Sequence, residues 1–172
     1  MIRIFALLFM TATAYVITAT AHASPVAHLS KVGQGEMQYL FWTIYQAEYY
    51  QQQNTQTATD KEPQKALKIK YLKSIDSQAL VKATIEQWQQ LGYSSDNITS
   101  WVEPLNAMWP DVEPGNTLTL LVQADGHSQF YFNDNVIGTI QDSYFADAFL
   151  SIWLSEKTSQ PELRQQLLGL TP

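Results

Sequence analysis

Few side chains in this sequence could serve as nucleophiles, general bases or metal ligands. The chain has no cysteine, which excludes thiol nucleophiles, disulfides and thiolate zinc sites. After a predicted leader, His28 lies in an N-terminal segment and His127 in a predicted hairpin turn, so neither suits a catalytic triad or a zinc site. The carboxylates are scattered, and Asp134 and Asp142 are typical of a turn and a helix cap. We therefore predict no metal and no cofactor, and nothing favours hydrolysis by paired carboxylates.

A Gly-x-Gly pair is the remaining element that could do chemistry, since such pairs occur in phosphate-binding loops. We predict a turn at Val32–Gly35 instead, with Gly33 and Gly35 supplying unusual backbone angles. A strand follows this pair, whereas a phosphate loop opens a helix.

The overall charge limits the class of partner. The formal net charge is −6 and only 15% of residues are charged. No basic stripe is present to neutralise phosphates, which argues against nucleic acid and against electrostatic docking on anionic membranes. We expect a neutral, apolar or cationic partner.

The N-terminus has the pattern of an export signal. Arg3 precedes a mostly apolar run, and Ala21-His22-Ala23 provides the small-x-small pattern of a cleavage site. We predict a signal peptide over 1–23, cleavage between Ala23 and Ser24, one domain over 24–172 and a periplasmic location. An uncleaved membrane anchor is the alternative, although the apolar run is short and broken by threonines.

The rest of the chain is organised around a predicted helix over Asp142–Leu154, which is apolar on nearly all sides and must be covered by other elements. Alternating aromatic and β-branched residues predict one long strand over Met37–Tyr50 and another over Ala66–Lys73. A polar loop over Gln51–Pro63 is expected between these strands. Asp76 or Ser77 should begin a helix that Gly92 ends.

A second helix is expected from about Asp96, and Pro104 should kink or split it. A three-stranded meander follows, and Ser159-x-x-Glu162 predicts a capping box for a short last helix. The order strands, helices, strands, helices predicts an α+β domain, with an antiparallel sheet covered by helices on one face.

Four stretches taken in order resemble the chalcone isomerase-like family, in its bacterial exported branch. They are Val32–Tyr50, Leu67–Trp88, the turn Pro110–Leu120 and Phe130–Gly169. The resemblance implies an open-faced β-sandwich with an apolar cleft between the sheet and the helices. The family includes enzymes that cyclise chalcones and relatives that bind fatty acids without catalysis.

The residues that the enzymes of this family use are mostly absent. An arginine follows the glycine-rich turn in the enzymes, to stabilise an oxyanion, whereas this chain has Glu36 and Met37. Ala79 falls at the position of a tyrosine, Tyr45 at that of a threonine, and Glu86 near an asparagine. The lysine is retained as Lys82. We therefore expect no flavanone-forming activity. Fatty-acid binding is also put in question, because the binding relatives use the same arginine and tyrosine.

Three functions stay open at this point. The first is a non-catalytic module that binds a small apolar or amphiphilic, fatty-acid-like ligand, with the contacts listed here: Trp42, Tyr45, Lys82, Glu86 and Trp88. The second is an isomerase or lyase with a rearranged site, which requires Tyr45, Lys82 and Glu86 to converge on one cavity. The third is a cell-envelope protein-interaction module with a filled core and exposed aromatic side chains.

Overall fold

The computed structural model describes residues 23–53 and 63–170, so residues 1–22 of the predicted leader and most of the predicted polar loop lie outside it. The described part forms strands and helices in the order listed here: β1 Ser30–Tyr39, β2 Trp42–Gln51, β3 Lys65–Tyr71, α1 Ser77–Leu91, α2 Ser95–Met108, β4 Thr117–Val122, β5 Ser128–Phe132, β6 Asn135–Ile140, α3 Ser143–Leu154 and α4 Pro161–Leu167. None of these helices has the length and apolar character needed to cross a bilayer.

The strands form one sheet in which each strand pairs antiparallel with its neighbour in the chain. Side chains alternate between two faces of this sheet. The face that carries Leu67, Leu120 and Phe130 packs against the helices, and we call it the inner face. The predicted α+β fold, an antiparallel sheet covered by helices, is therefore confirmed.

The predicted single strand over Met37–Tyr50 is wrong, because the chain reverses at Leu40 and Phe41 and forms the hairpin β1–β2. The predicted turn at Val32–Gly35 is also wrong, since these residues lie inside β1. Gly33 and Gly35 are needed there for a close contact: a side chain at Gly33 would overlap the carbonyl oxygen of Gln166 in α4.

The caps and apolar stripes of α1 and α3 agree with the sequence pattern. Asp76 accepts a hydrogen bond from the Ala79 amide at 2.7 Å, and Gly92 ends α1 with a φ of 88°. Asp142 begins α3 by accepting from the Tyr144 amide at 2.9 Å. Seven residues of α3, among them Phe145 and Trp153, are buried.

Two local predictions for the other helices are wrong. Helix α2 continues through Pro104, so the predicted split does not occur, while the predicted kink stays a prediction. The capping box at Ser159 does not form, because the N-cap of α4 is Gln160 without a side-chain hydrogen bond. The Ser159 hydroxyl donates instead to Gln87 of α1 at 2.7 Å.

The core between the inner face and the helices is dominated by aromatic rings. Phe130 of β5 contacts Trp109, Phe145 and Phe149, all edge to face, with ring centroids 5.4 to 5.9 Å apart. The outer face of the sheet is covered over one part by the N-terminal segment, where Val26 and Leu29 pack on Ala66 and Leu121. The remainder of this face carries polar side chains.

Candidate ligand-binding site

The structure does not bring the five predicted contact residues into one place. Tyr45 lies on the inner face, and Trp42 lies three residues earlier at the end of the hairpin. Trp88 is fully buried in the core and donates its indole N–H to the Ala148 carbonyl at 2.8 Å. Lys82 and Glu86 lie on the exposed side of α1.

Lys82 and Glu86 face solvent and pair weakly with each other. Their charged groups are 3.9 Å apart, and the two side chains are 78% and 58% exposed. Pairs with this exposure and helical spacing contribute little to stability. Because Tyr45 points into the sheet–helix interface, the convergence required for a rearranged isomerase is not formed.

Glu36 also lies away from the helices. Its carboxylate accepts a hydrogen bond from the Gln46 amide at 2.9 Å, and both side chains project from the outer face of the sheet. The carboxylate that the family comparison places at the arginine position therefore stays outside the interface between sheet and helices.

Tyr45 forms a polar cluster within an otherwise apolar interface. Its hydroxyl oxygen accepts a hydrogen bond from the indole N–H of Trp153 in α3 at 2.8 Å. The ring packs edge to face on Tyr71, with the centroids 6.1 Å apart. Met37 of β1 and Tyr71 of β3 flank Tyr45 across the strands. We call these four residues, Met37, Tyr45, Tyr71 and Trp153, the Tyr45 cluster.

The two tyrosines of the Tyr45 cluster stay protonated at neutral pH. Burial raises the pKa of Tyr45 to about 12, although the hydrogen bond from Trp153 partly opposes this shift. Burial also raises the pKa of Tyr71, and the neighbouring Tyr45 adds to the shift. A phenol with so high a pKa is a poor general acid at neutral pH, but it remains a good hydrogen-bond donor.

The hydroxyl group of Tyr45 can still donate a hydrogen bond. Its oxygen already accepts from Trp153, and among the described residues its own O–H has no acceptor in place. An oxygen atom of a ligand head group could accept this hydrogen while the apolar part of the ligand contacts the surrounding rings. The arrangement is suited to recognising an amphiphile and is poorly suited to proton transfer.

A broad groove of about 1110 Å³ lies beside β1 and α4, apart from the Tyr45 cluster. Its lining is largely polar and carries charges of both signs, including Glu48, Lys68 and Lys70. Partial burial opposes the ionisation of Glu48, but hydrogen bonds from Lys31 and Tyr50 outweigh it and lower the pKa of this carboxyl. Glu48 and Lys68 are already paired within the protein, and so polar a lining would not bury an apolar chain.

A smaller groove of about 330 Å³ lies between α2 and α3, beside Trp101 and Tyr144. None of the five predicted contact residues lines either groove. In the described ranges, no group of three or more His, Cys, Asp or Glu side chains is arranged to hold a metal ion.

Sequence reasoning identified Tyr45 but not its partners. Trp153 was assigned to a core helix from its apolar spacing, which reports burial and not hydrogen bonding. A buried tryptophan usually has an acceptor for its indole N–H, and this is the signal that could have indicated a polar partner for Trp153. Tyr71 lies opposite Tyr45, a position that depends on the strand register and that the sequence pattern alone does not specify.

An open antiparallel sheet with one helical layer defines an α+β protein of the kind expected from the resemblance. The model of the chalcone isomerase-like family matches residues 16–169, so the chain belongs to this family. An uncharacterized protein of Haemophilus influenzae is 28% identical over 149 residues, which cover 87% of this chain and 72% of that protein.

A solved structure with a similar fold is a fatty-acid binding protein of Arabidopsis thaliana. It matches with a TM-score of 0.62 over 85% of this chain and 89% of the plant protein. The sequences are 10% identical, so the similarity establishes the fold alone.

Proposed function

We propose that this protein binds a small amphiphile between the sheet and its helices and does not transform it. The ligand has an apolar body and an oxygen-bearing head group, as a fatty acid does. The observation that carries the proposal is the protonated Tyr45 hydroxyl, which Trp153 orients inside an apolar interface. The fatty-acid binding of the plant protein with this fold supports the ligand class.

Two features favour binding over catalysis. Lys82 and Glu86, which the rearranged isomerase needs beside Tyr45, face solvent on α1. The raised pKa of Tyr45 makes its phenol a weak proton donor in the reaction that the alternative requires. The ligand-binding roles of Trp42, Lys82, Glu86 and Trp88 stay predictions.

A direct test is the affinity of the delipidated protein for a long-chain fatty acid, measured by titration calorimetry. We expect Tyr45→Phe to weaken binding about tenfold, because one hydrogen bond to a charged head group is lost. The matched control is Tyr50→Phe, which removes a hydroxyl bonded to Glu48 on the outer face and should leave the affinity unchanged. Equal affinity of the wild type and Tyr45→Phe would contradict the role of Tyr45. No binding by the wild type would contradict the fatty-acid class.

The proposed location is the periplasm, with the mature chain beginning at Ser24. The charged start, apolar run and small-x-small site of the N-terminus support this proposal. Native mass spectrometry of the protein from its own cell envelope measures the mature mass and any retained ligand together. A mass that includes residues 1–23 would contradict cleavage, and a co-purifying small mass would identify the ligand.

A further inference from the structure

The end of the β1–β2 hairpin is the largest run of exposed apolar side chains in the described part of the protein. Tyr39, Leu40, Phe41 and Trp42 are consecutive, and we call them the hairpin tip. They are 66%, 76%, 98% and 60% exposed, respectively. Scattered exposed apolar residues are normal on a surface, but four large ones in a row usually mark a contact surface.

The backbone conformation of the hairpin tip is unusual for the residues that form it. Leu40 has a φ of 55°, in the left-handed region that glycine and asparagine adopt readily and leucine rarely adopts. Two-residue hairpin turns favour glycine and asparagine for this reason. The turn therefore places a large apolar side chain where a small or polar one would fit the backbone better.

We propose that the hairpin tip inserts into the interfacial region of a lipid bilayer and holds the protein at a membrane surface. Leu40 and Phe41, at the apex, would enter the apolar layer. Tyr39 and Trp42 flank them, and tyrosine and tryptophan are the residues that prefer the boundary between head groups and acyl chains. The order of residues along the tip thus follows the polarity gradient of a bilayer.

Charge beside the hairpin tip agrees with a lipid head group. The ammonium group of Lys73 lies 4.3 Å from the centre of the Trp42 ring, so a cation stands at the level where the tip meets the protein. Lipid phosphates would lie at the same level. With a net charge of −6 on the whole chain, we expect insertion to depend on apolar contact and not on attraction to anionic lipid.

The shape of the hairpin tip favours lipid over a protein partner. A specific protein interface needs a broad complementary surface of roughly 800 Å² on each partner, with a polar rim. A tip of four residues is narrow and convex, whereas a bilayer accepts a convex apolar wedge without a matching cavity. This inference is independent of the proposed ligand binding, and its test uses no ligand.

Tryptophan fluorescence offers a specific measurement. Trp42 is 60% exposed, whereas Trp88, Trp101, Trp109 and Trp153 are at most 8% exposed. Adding phosphatidylcholine vesicles should shift the emission of Trp42 to shorter wavelength and reduce its quenching by iodide. The protein should also float with the vesicles in a density gradient.

Two variants weaken the tip in different ways. We expect Phe41→Ser to reduce vesicle binding at least about tenfold, since a phenylalanine side chain no longer leaves water. Leu40→Asn should also reduce binding while relieving the backbone conformation, so this variant should fold at least as well as the wild type. The matched control is Tyr144→Ser, which removes a side chain that is 79% exposed at the start of α3 and should leave vesicle binding unchanged.

The inference is overturned if the wild type neither floats with vesicles nor changes its emission. It is also overturned if Phe41→Ser and Leu40→Asn bind vesicles as tightly as the wild type. A blue shift that grows with protein concentration in the absence of vesicles would identify a second copy of the chain as the occupant of the tip, and would overturn the lipid assignment.

Discussion

Asp142 links two helices through its two carboxylate oxygens. One accepts a hydrogen bond from the Tyr144 amide and caps α3, and the other accepts the indole N–H of Trp101 in α2 at 2.8 Å. Trp101 is 3% exposed, so its N–H has no easy access to water if the carboxylate is removed. The residue is therefore a cap and a tertiary contact at once.

We expect Asp142→Ala to lower the free energy of unfolding by about 2–3 kcal/mol, because a cap is lost and a buried N–H is left unpaired. Asp76→Ala is the matched control: its carboxylate caps α1 at the surface, and its loss should cost only about 1 kcal/mol. Urea unfolding of the two variants provides the comparison. Equal losses would show that the bond to Trp101 contributes nothing beyond the cap.

Tyr45 should make the stability of the protein depend on alkaline pH. Its pKa is about 12 in the folded chain against a reference value of 10.0, so its contribution is fully present below pH 10. This contribution falls as the pH rises toward 12, because only the unfolded chain ionises readily. In Tyr45→Phe the decline between pH 10 and 12 should be shallower by up to about 1.4 kcal/mol per pH unit. Urea unfolding at several pH values between 10 and 12 measures this slope, and Tyr39→Phe, which changes an exposed tyrosine, is the control. Identical slopes in the wild type and both variants would contradict the prediction.

The contact between β1 and α4 shows how one element constrains another. A methyl group at Gly33 would meet the backbone oxygens of Gln166 and Leu167, which cannot move without shifting the helix. A methyl group at Gly138, on the inner face at β6, would meet the end of the Met108 side chain, which is flexible. Both glycines lie in strands, but the backbone beside Gly33 is fixed within a helix, whereas the side chain beside Gly138 can change its conformation.

Gly33→Ala should therefore destabilise the fold by about 2 kcal/mol or more, through overpacking against a rigid backbone. The free energy of unfolding of Gly138→Ala should stay within about 1 kcal/mol of the wild type. Met108 can move aside, and alanine reduces the conformational freedom of the unfolded chain. Thermal unfolding at a common pH compares the two variants. Equal losses, or a greater loss for Gly138→Ala, would show that α4 adjusts more easily than its packing indicates.

The helices were predictable because their signals are local. Asp76 and Gly92 bracket α1 in the sequence as in the structure, and the apolar spacing of α3 identifies a covered helix wherever its neighbours lie. The β1–β2 hairpin was missed because its turn contains leucine and phenylalanine, without glycine, asparagine or proline. Because no turn residue interrupts the alternation of side chains, the pattern predicts a single strand.

At the scale of the whole molecule, the sequence indicated the fold but only Tyr45 of the candidate site. The order of elements and the family resemblance both led to the observed sheet and helical layer. Which face of α1 meets the sheet depends on packing, so Lys82 and Glu86 were grouped with Tyr45 although they face the other way. Trp88 packs in the core against Trp101 and Phe145, and its predicted contact with a ligand stays a prediction.

Because β1 packs on α4, which follows every other described element along the chain, the inner side of β1 is covered only once α4 has been synthesised. Until α4 has emerged, Gly33 and Gly35 lack their packing partner, although each strand can already pair with its neighbour in the chain. The contact between β1 and α4 is therefore the last contact of the described fold that can form during synthesis.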